Sequence, residues 1–290
     1  MKISEVWSIF ELEKRLENYS PATLKGYGIQ AKLLMDALGD IDMEDIKYQD
    51  LKNYFLSASE AMKPSTLAHR IKVIRSLFRW AQDSEYIQAN PCAKLKEPKQ
   101  GQRIPRSMNQ EDINLLRKAC QSPLEQALLE FFYASGCRIG EVVPIKKEAI
   151  NWQTRTVVVR GKGNKEREIY FTKRCATYLS SYLDSRTDTE PHLFVTERKY
   201  KPHAGGIPKP RQMSSYQMRV ILKQLAIRAG IKSNIYPHRL RHTYACHLLD
   251  KGASLEAIQS LLGHAKLDTT RIYADLRGQK RKEMYEKYFK

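Results

Sequence analysis

Cysteine is scarce and scattered in this 290-residue chain: Cys92, Cys120, Cys137, Cys175 and Cys246, with no Cys-x-x-Cys spacing. An odd number of widely separated cysteines excludes a disulfide-framed scaffold or a zinc ribbon and reads as reduced, mostly buried thiols of a cytoplasmic protein. No apolar run approaches the roughly 20 residues of a membrane span. The charged start MKISEVWSIFELEKR also lacks a secretory-signal pattern, so a soluble protein without membrane contact is expected. Phosphate-cradling signatures are missing: the glycines of GKGNK (161–165) do not have P-loop spacing and no helix follows. HRLRH (238–242) holds two histidines four apart, but Arg239 stands where a zinc protease needs glutamate. Nor does any Asp/Glu cluster accompany these basic motifs, so they offer no ligand set for a catalytic metal.

Positive charge is plentiful. Fifty Lys and Arg face 32 Asp and Glu, for a formal net charge of +18, which favours a polyanionic partner. It is unevenly spread: residues 1–100 hold 15 basic and 14 acidic side chains, residues 101–290 hold 35 and 18. The length suits two domains, each with its own core. The stretch NPCAKLKEPKQGQRIPRS (90–107), rich in Pro and charge, marks a linker. We place one domain at 1–93, the linker at 94–107 and a second domain at 108–290; Lys94, Lys96, Lys99, Arg103 and Arg106 suit a linker that closes around a duplex. In the first domain, Ser20 and Pro21 open a helix with Leu24, Tyr27, Ala31, Leu34, Met35 and Leu38 on one face. A shorter helix covers about 48–59, and Pro64 opens another with Leu67, Ile71, Ile74, Leu77, Phe78 and Ala81 inward. Its Arg70, Lys72, Arg75 and Arg79 point largely outward, as a solvated face or a stripe for a DNA groove. A basic, Pro/Gly-rich loop at 197–215 is either DNA-facing or a plain connection.

The most informative segment is PHRLRHTYACHLL (237–249). Pro237 suits the first turn of a helix running to the Gly252 stop, which puts His238 and Arg241 on one face, a proton-transfer group beside a cation. The next helix opens at Ser254 and closes at Gly263, whose left-handed cap presents His264, and Tyr273 follows nine residues later. Taken singly these are ordinary features: a surface pair, and one tyrosine among 16. Upstream, Gly136 ends an apolar helical run just before Arg138, and Arg138 and Glu141, three apart, read as a helix-face ion pair. Residues 156–159 and 168–171 read as strands of a β-hairpin, with Gly161 and Gly163 in the turn and Lys162 at its tip.

Four segments, SGCRIGE, GKGNKER, HRLRHT and LLGHAKLDTTRIY, in this order and at these separations, resemble the tyrosine recombinase (phage integrase) superfamily, within it the small two-domain Xer-like enzymes. The resemblance spans nearly the whole chain. It implies a mainly α fold: a four-to-five-helix SAM-like core-binding domain, then a mixed-α catalytic domain with a small antiparallel sheet. It also implies that Arg138 and Arg241 clamp the scissile phosphate, Lys162 protonates the leaving oxygen, His238 acts as base, His264 hydrogen-bonds the phosphate and Tyr273 is the nucleophile.

The chemistry needs these residue types. Forked guanidiniums match non-bridging oxygens that gather charge, and a phenol with a pKa of about 10 needs a base or a cationic field to attack near neutrality. Energy kept in a 3′-phosphotyrosine ester removes any need for ATP, and protein cations replace metals, so no cofactor is expected. DNA contacts are expected at Lys63, Arg70, Lys72, Arg75 and Arg79, and at Lys165, Arg167 and Arg239. The implied partners are double-stranded DNA with paired inverted-repeat sites and further copies of the chain: a dimer on each site and a tetramer in synapsis, exchanging strands through a Holliday junction. The tail, 276–290, carries Met284, Tyr285, Tyr288 and Phe289 on one helical face, to dock on a neighbouring protomer or on its own domain.

Helices that begin almost at Met1 leave no room for an arm-type DNA-binding domain, so a simple paired-site reaction is expected. The alternatives are a type IB topoisomerase-like enzyme, relaxing supercoils without partner sites, and a catalytically silent architectural DNA-binding protein. Dimer or cointegrate resolution and mobile-element integration both fit the recombinase reading.

Overall fold

Among the described residues, proline at the first helical position opens four helices, because its missing N–H is a donor that would be orphaned there in any case. Ser20 and Ser122 complete two of these starts by accepting from the backbone N–H of Thr23 and Glu125. The computed structural model describes residues 1–99, 107–161, 165–196, 210–263, 285–286 and 289. The chain divides into two units, Met1–Arg103 and Ile104–Lys290.

The first unit holds α1 (Ile3–Leu16), α2 (Pro21–Leu38), α3 (Tyr48–Ala61) and α4 (Pro64–Asp83). Its core joins Ile3, Val6 and Phe10 of α1 to Leu34, Leu51 and Phe55, and to Ile71, Ile74, Leu77 and Phe78 of α4. The buried face of α4 is broader than the sequence pattern suggests, because Val73 and Trp80 are also inside. Trp80 meets Phe10 edge to face at 5.2 Å, and its indole N–H donates to Glu13 at 2.6 Å, which gives a buried polar handle its partner. The segment after α4 stays on this unit: Cys92 is buried in the core and Leu95 packs against it.

The second unit is built on α6 (Pro123–Ser135), preceded by α5 (Gln110–Ala119). The core faces of α6 bury Leu124, Ala127, Leu128, Leu129, Phe131 and Phe132. After it come α7 (Ile139–Val142), the antiparallel pair β1 (Thr156–Arg160) and β2 (Glu166–Tyr170), α8 (Lys173–Asp184), α9 (Ser215–Arg228), α10 (Pro237–Asp250) and α11 (Leu255–Leu262). The hairpin pairs Thr156 with Tyr170 and Arg160 with Glu166, so its strands reach closer to the turn than the β-branched run alone indicates. Val157, Val159 and Ile169 face the core while Val158 and Tyr170 face out, the alternation expected of a one-sided sheet. α6 packs against both α8 and α10. No helix among the described residues is long and apolar enough to cross a membrane.

Candidate active site

Arg138, His238 and Arg241 are the three described members of the sequence-derived set; Lys162, His264 and Tyr273 lie outside the described residues. Arg241 projects from α10 into the unit and is 1% exposed. Its Nη1 donates to the Gly136 carbonyl and its Nη2 to the Leu262 carbonyl, each at 2.7 Å. Gly136 caps the C-terminus of α6 and Leu262 is the last residue of α11, so the guanidinium sits where two helices present carbonyl oxygens with partial negative charge. At Gly136 the backbone turns left-handed, with φ +59°. A Cβ there would fall 2.6 Å from the Tyr244 ring, so both conformation and close approach call for glycine.

That turn delivers Arg138 as the N-cap of α7. Its backbone N–H donates to Glu141 Oε2 and its Nη1 to Oε1, both at 2.8 Å. The expected helix-face pair is therefore a capping arrangement around a carboxylate only 3% exposed, with the Arg138 side chain 37% exposed. His238 lies in the first turn of α10. Crowding by protein lowers its pKa from the ordinary imidazole value, and the positive charges of Arg241 and then Arg138 lower it further. The imidazole is thus neutral near pH 7 and able to accept a proton.

Glu141 and Arg167 form a hub that sequence reading missed. Arg167, expected on DNA, is 13% exposed and donates to Glu141 Oε2 at 2.8 Å and to the Leu261 carbonyl at 2.6 Å. Burial pushes the Glu141 carboxyl up, but the Arg138 N–H and then the Arg167 charge outweigh it and hold the pKa below the usual range. Arg239 donates to the Asn234 carbonyl at 3.0 Å, and Lys165 is exposed at the base of the hairpin, where its carbonyl accepts from Gly161 N–H at 2.8 Å.

On α4, Lys63 is the exposed N-cap residue. Lys72 and Arg75 converge on Glu97, at 3.2 and 3.4 Å, and Arg79 stands 3.8 Å from Asp83. With Asn90 and Ala93 they line an open groove of about 670 Å³. Arg70 differs from its neighbours: its Nε donates to Gln30 at 3.0 Å and its guanidinium lies over the Tyr54 ring. This arginine braces α4 on α2 and α3 instead of facing outward.

A second missed feature ties Met108 to α10. The Met108 N–H donates to Thr243 Oγ1 at 3.0 Å and its carbonyl accepts from His247 Nε2 at 2.9 Å. His247 Nδ1 pairs with the Tyr133 hydroxyl at 2.8 Å. Burial pushes the thiols of Cys137 up to about 11 and Cys92 up to about 12, which disfavours their thiolate forms.

Compared with known proteins, residues 106–280 match the phage integrase family. The tyrosine recombinase XerC of Oceanobacillus iheyensis is 31% identical over 289 residues, covering 93% of this chain and 91% of that protein. Among solved structures, XerA recombinase aligns with a TM-score of 0.56 at 26% identity, over 99% of this chain and 98% of the other. A lambda integrase (75–356) dimer bound to a COC′ core site shares the fold, with a TM-score of 0.74 at 16% identity over 93% and 97% of the two chains.

Proposed function

The chain belongs to the phage integrase family, and we propose that it is a Xer-like site-specific recombinase that breaks and rejoins DNA through a tyrosine ester. The observation that carries the proposal is that Arg241, three residues after His238 at the N-terminus of a 14-residue helix, donates to the Gly136 carbonyl in the turn that delivers Arg138. That helix end adds its own partial positive charge to the place where a phosphate would lie. The two guanidiniums draw the phosphate in and stabilise its developing charge. Neutral His238 accepts the proton of Tyr273, whose oxygen attacks phosphorus. The bond to the 5′ oxygen breaks, that oxygen takes a proton from Lys162, and a 3′-phosphotyrosine and a free 5′ hydroxyl result. His264 hydrogen-bonds the phosphate. Attack by the 5′ hydroxyl of a partner strand reverses the steps and frees the tyrosine.

The substrate is double-stranded DNA with paired inverted repeats, bound by a dimer on each site and a tetramer in synapsis, in the cytoplasm. Strands exchange through a Holliday junction, for resolution of dimers or cointegrates or for integration of a mobile element. Residues 1–93 form the core-binding domain and 108–290 the catalytic domain. Lys63, Lys72, Arg75, Arg79, Lys165 and Arg239 contact the backbone of the duplex. Tyr285 and Phe289 stack with ring centroids 5.1 Å apart and are 64% and 75% exposed, which supports docking of the tail on a neighbouring protomer.

Covalent capture on a nicked site, followed by peptide mapping, tests the reaction. The adduct is expected on Tyr273; Tyr273→Phe should lose it while keeping DNA affinity. Attachment at Tyr285 or Tyr288 overturns the assignment. Relaxation of a plasmid that lacks paired sites would favour the topoisomerase reading.

A further inference from the structure

Arg167 leaves β2 toward the interior, and its two Nη donors bridge parts of the chain that are far apart in sequence: the Leu261 carbonyl on α11 and Glu141 on α7. Its stem lies across Gly263, where a Cβ would stand 2.5 Å from the Arg167 Cδ. Glu141 also holds Arg138, and its Oε1 is 3.3 Å from where a Cβ on Gly161 would be. Gly161 immediately precedes Lys162, and Gly263 immediately precedes His264. One ion pair therefore packs against Gly161 and Gly263 and holds the guanidinium of Arg138. Both Nη groups of Arg167 are engaged by acceptors of the protein, one of them a carboxylate that already balances its charge. Lysine, with one compact ammonium, does not reproduce the fork that spans both acceptors.

Resting on the reading of Lys162 as general acid, we propose that Arg167 is a positioning residue for strand cleavage, tying the β-hairpin that carries Lys162 to the end of α11 that leads into His264, and so keeping the proton donor in line with the leaving oxygen. A misplaced donor slows expulsion of an alkoxide, which must be protonated as the P–O bond breaks. If sulfur replaces the bridging 5′ oxygen, the leaving thiolate is a much weaker base and departs without a proton.

The test compares single-turnover covalent capture by full-length Arg167→Met and Lys162→Ala on ordinary and 5′-bridging-sulfur substrates, with DNA affinity measured at several salt concentrations. Arg167→Met is expected to bind with an unchanged salt slope, to cleave the ordinary substrate about 100-fold more slowly, and to recover to within a few-fold of the parent on the sulfur substrate. Arg167→Lys, which keeps the charge and the stem, carries the same comparison if the methionine variant does not fold. A salt slope reduced by about one makes Arg167 a phosphate contact and overturns the proposal. An equal defect on both substrates shows scaffold damage and also overturns it. If Lys162→Ala is rescued by sulfur and Arg167→Met is not, the positioning role alone fails; if Lys162→Ala is not rescued, the general-acid reading fails and takes this one with it.

Discussion

His238 and Glu141 show how neighbouring arginines, with Arg138 common to both, act on two groups of opposite character. Crowding and the cations hold the imidazole pKa below its ordinary value, so the folded state favours its neutral form. In DNA-free protein, NMR titration of His238 should therefore give a midpoint below about 6.5, and a value at or above it would remove the case for a neutral base. The linkage has a definite sign: below that value the unfolded chain binds the proton more readily, so this stabilisation fades as pH falls. Glu141 behaves as a depressed carboxylate, whose stabilisation is present above the unfolded value of about 4.3 and disappears as pH falls through the lower folded value. Glu141→Gln leaves Arg167 without its charge partner and should lower unfolding stability near neutral pH by about 3 kcal/mol. Denaturant titrations should show that gap shrinking as pH falls below about 4.3 and closing once pH has passed the depressed folded value, where the parent carboxyl is protonated as well. A gap that persists unchanged in acid would mean that packing, and not charge, carries the effect.

At the scale of single elements, α6, α10 and α11 meet through backbone carbonyls that one arginine collects, and the turn at Gly136 makes that meeting possible. Gly136→Ala places a Cβ against the Tyr244 ring at a left-handed backbone. It should cost about 1–3 kcal/mol in thermal or denaturant unfolding of the second unit. A loss below about 0.5 kcal/mol, the usual scale for harmless surface changes, would show that the ring yields freely. On α4 the basic residues separate by role. Lys72→Ala should reduce the salt slope of DNA binding by about one with little change in melting temperature. Arg70→Ala removes a brace to Gln30 and Tyr54, so it should lower the melting temperature and leave the slope almost unchanged. The opposite pattern would exchange the two assignments.

For the whole molecule, charge and division into units carry the argument. Residues 101–290 hold 35 basic against 18 acidic side chains, while the first hundred are nearly balanced, so DNA affinity should fall steeply with salt mainly through the second unit. Limited proteolysis should cut first within 94–107, the Pro-rich charged stretch, and release two resistant fragments. First cuts elsewhere would move the domain boundary. Truncation before Glu283 should leave binding to one site intact and abolish cooperative assembly on paired sites, as gel-shift titration would show. Unchanged cooperativity would place the tail on its own domain.

The helix starts at Pro21, Pro64, Pro237 and Ser254, the two glycine caps at Gly136 and Gly263, the hairpin strands and the order of the four motifs were legible in the sequence, because each depends on a few neighbouring residues and on elementary backbone chemistry. The family followed from motif order and spacing for the same reason. Tertiary structure alone decided where individual charges point. Arg70 finds Gln30 across 40 residues, Arg167 finds Glu141 across 26 and Leu261 across 94, and Met108 finds Thr243 across 135. An arginine in an amphipathic pattern reads the same whether it meets water, DNA or a buried carboxylate. The difference lies in which distant acceptors the packed fold brings within hydrogen-bonding reach, and no local periodicity encodes that.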